Sequence, residues 1–227
     1  MRKSVVIAVI LLLLASVEAS ALHLAGELVY LGSIESQYHV GELGGAGGSL
    51  TLLDLGIAQV SVELRVLGSA GLDYLPRLYL RRIPAQPVSE AVFLLSDALV
   101  AVSAAWPLSD DMRLAIRAGV GDVAYIGAKP GEALSYNIYR GLRVKGELRK
   151  GIMPSAELFA NVEYGPHLAN AYGTHDQSSA NWRGVELGVQ ANILLGTLRG
   201  GMRVNYLRES HDSHRFAGVF LSGGVGF

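Results

Sequence analysis

An all-β fold is what this sequence predicts: a single antiparallel up-and-down barrel whose strands cross a bilayer. Three observations carry that prediction. Of the 227 residues 50% are hydrophobic, yet past residue 21 no continuous apolar run is long enough for a spanning helix. Apolar and polar residues instead alternate with period two over one stretch after another, the pattern of a strand with one face in lipid and the other in a polar interior. The chain also has 28 glycines and no cysteine, which argues against a disulfide-stapled domain and suits a barrel that closes its own hydrogen-bond ladder.

The first residues are set apart from this pattern. Arg2 and Lys3 precede an apolar run from Val5 to Ala15, and Ala19-Ser20-Ala21 forms a small-x-small cleavage site. This predicts a secretory signal peptide over residues 1–21, leaving residues 22–227 as one barrel domain. The formal net charge is −1, and with no basic run nucleic acid is excluded as a partner.

Taken in order, the first strand is Leu22 to Gly32, with Leu24, Leu28 and Tyr30 opposite Glu27. The glycine-rich stretch Ser33 to Gly48 reads as a long loop. Val60, Val62, Leu64 and Val66 alternate with Ser61, Glu63 and Arg65; after a turn at Gly68 to Asp73, Tyr74 to Ile83 offers Leu78 and Leu80 against Arg77, Tyr79 and Arg81. Pro76, Pro84 and Pro87 weaken this second segment, since proline cannot donate to a ladder. Counting both segments gives ten strands, preferred because a structureless connection of that length is improbable; counting neither gives eight.

The clearest unit is the hairpin Ala98 to Tyr125. Val100, Val102, Ala104 and Trp106 point one way, the turn Pro107 to Asp111 follows, and Met112, Leu114, Ile116, Ala118 and Val120 resume the alternation. Downstream, Tyr136 to Arg149 sets Tyr136, Ile138, Leu142, Val144 and Leu148 against Asn137, Arg143, Lys145 and Glu147, with Arg140 on the apolar side. Ala156 to Gly165 sets Leu158, Ala160, Val162 and Tyr164 against Glu157, Asn161 and Glu163. A polar loop spans Pro166 to Asn181. Trp182 to Leu194 then sets Val185, Leu187, Val189, Ala191 and Ile193 against Glu186, Gly188, Gln190 and Asn192, and Leu198 to Leu207 sets Leu198, Met202, Val204 and Tyr206 against Arg199, Arg203 and Asn205. Aromatics at strand ends (Tyr30, Tyr74, Trp106, Tyr125, Tyr136, Tyr164, Trp182, Tyr206, Phe227) suit two interfacial girdles.

The last strand, Phe216 to Phe227, carries Ala217, Val219, Leu221, Val225 and Phe227 on one side and Gly218, Ser222, Gly224 and Gly226 on the other. With its aromatic final residue it resembles the closing strand of small bacterial outer-membrane β-barrel proteins of the OmpA-like transmembrane-barrel type. The resemblance implies residence in the outer membrane among its lipids. It implies insertion by the barrel-assembly machinery, which reads Val219, Leu221, Val225 and Phe227. It further implies a monomer and two periplasmic termini, hence an even strand count. Gly68 to Asp73, Pro107 to Asp111, Lys150 to Ser155 and Leu195 to Thr197 are then periplasmic turns, the longer connections being extracellular. The first and last strands are expected to pair, removing both sheet edges.

The inward positions collect Glu27, Glu63, Glu147, Glu157, Glu163 and Glu186 against Arg65, Arg77, Arg81, Arg113, Arg117, Arg143, Lys145 and Arg203. In a narrow barrel such charges must pair, because a lone buried charge is costly. The plainer reading is a polar filling in a barrel too small for a channel; the functional one is a network gating a thin ion path. Five histidines, His39, His167, His175, His211 and His214, fall in expected extracellular loops. The spacing His211-Asp212-Ser213-His214 could serve a metal, but exposed polar loop residues need no such explanation and no fourth ligand or regular spacing accompanies them, so no metal and no cofactor is assigned.

Two barrel enzymes offer partial resemblances. Outer-membrane lipid A deacylases use His-x-Ser-Asn; His167-Leu168-Ala169-Asn170 has Ala169 where the nucleophile belongs. Omptin-type proteases face an Asp-x-His pair with a second Asp pair; Asp212-Ser213-His214 imitates one half, but Asp110-Asp111 lies in a turn at the other end. No catalytic constellation is complete. The expectation is a small outer-membrane barrel with a structural or adhesive role for its surface loops, or a weakly conducting pore. A rim enzyme acting on lipid or peptide is the alternative, and a soluble lipocalin-like barrel would require the reverse facing.

Overall fold

The computed structural model describes residues 23–36, 40–54, 58–68, 73–84, 86–174, 179–194, 196–210 and 212–226. The expected signal peptide and the terminal Phe227 lie outside them. Ten strands form one closed antiparallel barrel: β1 (His23–Glu35), β2 (Val40–Asp54), β3 (Ala58–Gly68), β4 (Val92–Ser109), β5 (Met112–Ala128), β6 (Ser135–Met153), β7 (Ala156–Gly173), β8 (Ser179–Ile193), β9 (Gly196–Arg208) and β10 (Ser213–Gly226). Each strand pairs with its sequence neighbours, and β1 closes on β10 from His23↔Gly226 to Glu35↔Arg215. Every edge is thereby paired, as a chain immersed in lipid requires. A short helix, α1 (Tyr74–Tyr79), lies between β3 and β4.

The ten strands are not quite the ten read from the sequence. The glycine-rich stretch expected to loop is instead β2. Its inward positions Gly45, Gly47, Ser49 and Thr51 are small because larger side chains from β3 occupy that space; a Cβ on Gly47 would meet Arg65 Cγ at 2.6 Å. Conversely, the expected strand Tyr74 to Ile83 leaves the sheet. Pro76 falls in the first turn of α1, where the missing N–H is not needed. Gly68 and the connection after it consequently lie at the same end as the longer loops, not at the end of the short turns.

One end of the barrel carries the connections 110–111 and 154–155, the end of β8 and the start of β9, together with the start of β1 and the end of β10; we call it the turn end, and the other the loop end. At the loop end the strands run further than the sequence suggested. Residues expected to form the polar loop Pro166 to Asn181 largely extend β7 and β8, with Leu168 paired to Ala180. Pro166 sits in a register shift between Gly165 and Leu168, where no ladder donor is required.

Helix α1 and the segment behind it lie against the outside of the barrel. Leu78 is fully buried among outward residues of β4 to β6, chiefly Leu94, Ala124, Ile126 and Ile138. Tyr79 Oη lies 3.4 Å from Ser96 Oγ, and Val88 N–H donates to the Glu132 carbonyl at 3.0 Å. A strap is thus tied across three strands at the loop end.

Candidate functional site: the barrel lumen

The interior has three levels. At the loop end inward side chains from all ten strands form one apolar cluster, including Leu31, Leu43, Leu67, Leu95, Tyr125, Tyr139, Leu168, Trp182, Leu207 and Phe216. Phe93 and Phe216 stack at 6.1 Å between ring centroids. Among these residues Glu209 is buried: the Tyr125 hydroxyl donates to its carboxylate at 3.3 Å and Asn137 Nδ2 donates to Tyr125 Oη at 2.9 Å. His214 is buried beside them, its ring 4.9 Å from that of Tyr125.

Below the cluster lies a belt of ion pairs. Arg65 Nε donates to Glu27 at 2.7 Å and Arg65 Nη1 to Asp97 at 3.1 Å. Arg203 grips Glu27 through two hydrogen bonds of 2.8 and 2.9 Å and reaches Glu186 at 2.7 Å. Arg143 joins Asp97 to Glu163. Its guanidinium also lies 5.4 Å from the centroid of the Trp182 ring, the joint between the charged and apolar levels. These carboxylates and guanidiniums are largely buried, and each has a partner, which is the condition for burying them at all.

Toward the turn end the lumen widens into a cavity of about 400 Å³ lined by Arg117, Lys145, Glu147, Arg149, Arg199 and polar groups such as Ser61 and Gln190. Phe220 gives it an apolar wall and packs on Phe159, ring centroids 6.2 Å apart, with Arg199 3.6 Å above Phe159 and Arg203 4.5 Å above Phe220.

The outer surface reverses these preferences. Leu28, Leu142 and Met202 are 66%, 69% and 69% exposed, within a continuous apolar band that also includes Val100, Val120, Val162, Leu187 and Leu221. Tyr30, Tyr164 and Tyr206 edge the band toward the loop end and Trp106 toward the turn end. An exposed apolar belt this extensive has no place in water. Facing outward around a closed ladder with a charged interior, it is suited to hydrocarbon.

The chain is a transmembrane β-barrel.

No family model and no curated protein matches this chain. Solved structures similar to the barrel include Neisserial surface protein A, at 10% identity and a TM-score of 0.44, covering 92% of this chain and 98% of that one. The outer-membrane protease OmpT of Escherichia coli is similar at 8% identity and a TM-score of 0.44, covering 92% and 93%. Ail, the attachment invasion locus protein of Yersinia pestis, is similar at 8% identity and a TM-score of 0.41, covering 91% and 97%.

Of the charged residues assigned to the lumen, Glu27, Arg65, Arg143, Glu163, Glu186 and Arg203 meet in the belt. Glu63, Arg117, Lys145, Glu147 and Glu157 lie nearer the turn end, and Arg113 projects into its exposed mouth. Arg77 and Arg81 are corrections. Both leave the sheet with the α1 segment, where Arg77 pairs with Asp73 at 3.7 Å and Arg81 lies 5.2 Å from the Tyr172 ring. Arg140 faces outward and is bound to Asp122 by two hydrogen bonds of 2.6 Å.

Several lumen residues escaped the sequence reading. Asp97 shares parity with Leu99 and Ala101 but lies just before the hairpin as bounded. Trp182 and Tyr125, expected in the girdles, point inward, Trp182 with the parity of Glu186 and Tyr125 with that of Arg117. Phe216 and Phe220 lie on the terminal strand's supposedly small and polar face. His214, expected in an exposed loop, is buried in the apolar cluster, and His167 lies on β7. His39, His175 and His211 are outside the described residues. Val219, Leu221 and Val225 face outward, while Phe227, the fourth residue of the expected insertion signal, is not described. The Asp110-Asp111 pair and Asp212-Ser213-His214 occupy opposite ends of the barrel.

Proposed function

We propose that this protein is a non-conducting integral barrel of the outer membrane whose role is structural or adhesive, exercised by the surface at its loop end. The observation that carries this reading is the apolar cluster drawn from all ten strands at that end. An ion crossing the barrel would have to shed its hydration among Leu31, Leu95, Trp182 and Phe216, with only the small hydrogen-bonded group of Glu209, Tyr125 and Asn137 beside them. At this level and in the belt below it the barrel's own side chains fill the lumen, and the charge belt serves as its polar core.

With both described chain ends at the turn end, that end faces the periplasm and the loop end faces outward. Delivery by the barrel-assembly machinery through β10 belongs to the same reading. The test is accessibility on intact cells. An epitope inserted in the β5–β6 connection (129–134) is bound by antibody without permeabilisation, whereas one inserted at 110–111 requires it. Labelling in the opposite sense, or recovery of the protein in the soluble fraction without detergent, overturns the proposal.

A further inference from the structure

At the turn end cations outnumber carboxylates, whereas the belt above joins three guanidiniums to four carboxylates, of which Glu27, Asp97 and Glu186 also line the cavity. On the inward faces of β5 and β6, Arg113 stands opposite Arg149 and Arg117 opposite Lys145. Like charges directly across a ladder repel, and here two such pairs lie beside the cavity, one on either side of the inward pair Ala115 and Glu147. Arg199 adds a fifth cation from β9.

The carboxylates at this level are fewer. Glu63 engages Arg117, Glu147 is shared by Arg149 and Arg199, and Glu157 approaches Arg149 only at 3.9 Å. Glu186 lies 3.7 Å from Lys145 and from Arg199 but is held more closely by Arg203 at 2.7 Å. Among the described residues Arg113 has no acidic partner. A second cavity of about 290 Å³ adjoins the first and shares Gln59, Arg117, Lys145, Glu147 and Arg149 with it, bringing Arg113 and Ser103 into the same mouth.

We infer that this mouth binds a small oxyanion of the phosphate type. Guanidinium pairs offer parallel N–H donors matched to phosphate oxygens. The surrounding low-dielectric wall strengthens the attraction over that in water, and Ser103, Gln59 and Gln190 line the space with further hydrogen-bonding groups. The volume suits a phosphate ion or a phosphomonoester rather than a polymer. A bound dianion also offsets two of the four charges in the facing cation pairs, Glu63 and Glu147 meeting the other two.

The experiment uses the full barrel in detergent micelles, so its outcome is independent of the surface role proposed above. Sodium phosphate and glycerol 3-phosphate are titrated calorimetrically at constant ionic strength maintained with chloride. Saturable binding of one anion per barrel is expected. Tighter binding of glycerol 3-phosphate identifies the phosphoryl end of an organic solute, and tighter binding of phosphate identifies the free ion. Arg113→Gln and Arg149→Gln weaken binding at least tenfold, while Arg183→Gln, on the outer face, leaves it within twofold. Folding of each variant is checked by heat-modifiable gel migration. Without ligand, Arg113→Gln unfolds at the same temperature as the wild type or higher, because a repulsion is removed. Absence of saturable binding, full displacement by chloride at equal ionic strength, or equal weakening by Arg183→Gln overturns the inference.

Discussion

Arg203 and Glu27, separated by 176 positions in the chain, are joined by two hydrogen bonds of 2.8 and 2.9 Å. β10 lies between their strands in the wall, so this contact bridges the strand on which the barrel closes. Because Glu27 also holds Arg65 and Arg203 also holds Glu186, four strands that are not all neighbours are tied together inside the lumen.

Removing one member therefore exposes the rest. Arg203→Ala leaves Glu27 and Glu186 each short of a buried partner, and the expected loss is about 3–5 kcal/mol. Denaturant unfolding in lipid vesicles measures it. Glu27→Gln combined with Arg203→Gln is expected to cost less than the sum of its parts, since the pair is then removed together. Strict additivity would show the contact to be energetically idle.

The outer face responds in the opposite sense. Met202 is 69% exposed in the apolar band, one residue from Arg203. Met202→Arg is expected to destabilise the inserted barrel by about 2–4 kcal/mol if it lies near the bilayer midplane, whereas Met202→Leu is near neutral. An arginine tolerated at both 202 and 203 in the same unfolding assay would contradict the facing of β9.

The strap is predicted to be separable from the wall. Leu78→Ala removes the one side chain of α1 that is fully buried. Limited proteolysis should then cleave the segment around residues 73–91 several times faster than in the wild type, with heat-modifiable migration unchanged. Loss of the folded gel form would instead make the strap part of the barrel's stability.

Much of this architecture can be read from period-two alternation, which is strong wherever a strand separates Leu and Val from Arg and Glu: β5, β6, β8 and β9 all do. It fails where size replaces polarity. Gly45 and Gly47 show no apolar contrast because they make room for Leu67 and Arg65, a relation visible only across the ladder. It also misleads where both faces are apolar, as at Phe93 to Leu95, whose outward Leu94 is covered by α1 and whose inward Phe93 and Leu95 belong to the cluster. Trp182 is legible by parity alone, and a preference for aromatics at interfaces obscures it. The closing of the lumen at one end depends on contributions from all ten strands, and no single stretch of sequence contains it.

That closure is the claim on which the functional reading stands, and planar-bilayer conductance tests it most directly. The wild-type barrel should add no steady current over the bare membrane, while Trp182→Ala with Phe216→Ala, which empties the centre of the cluster, should produce one. A steady, ohmic current through the wild-type protein would contradict the account.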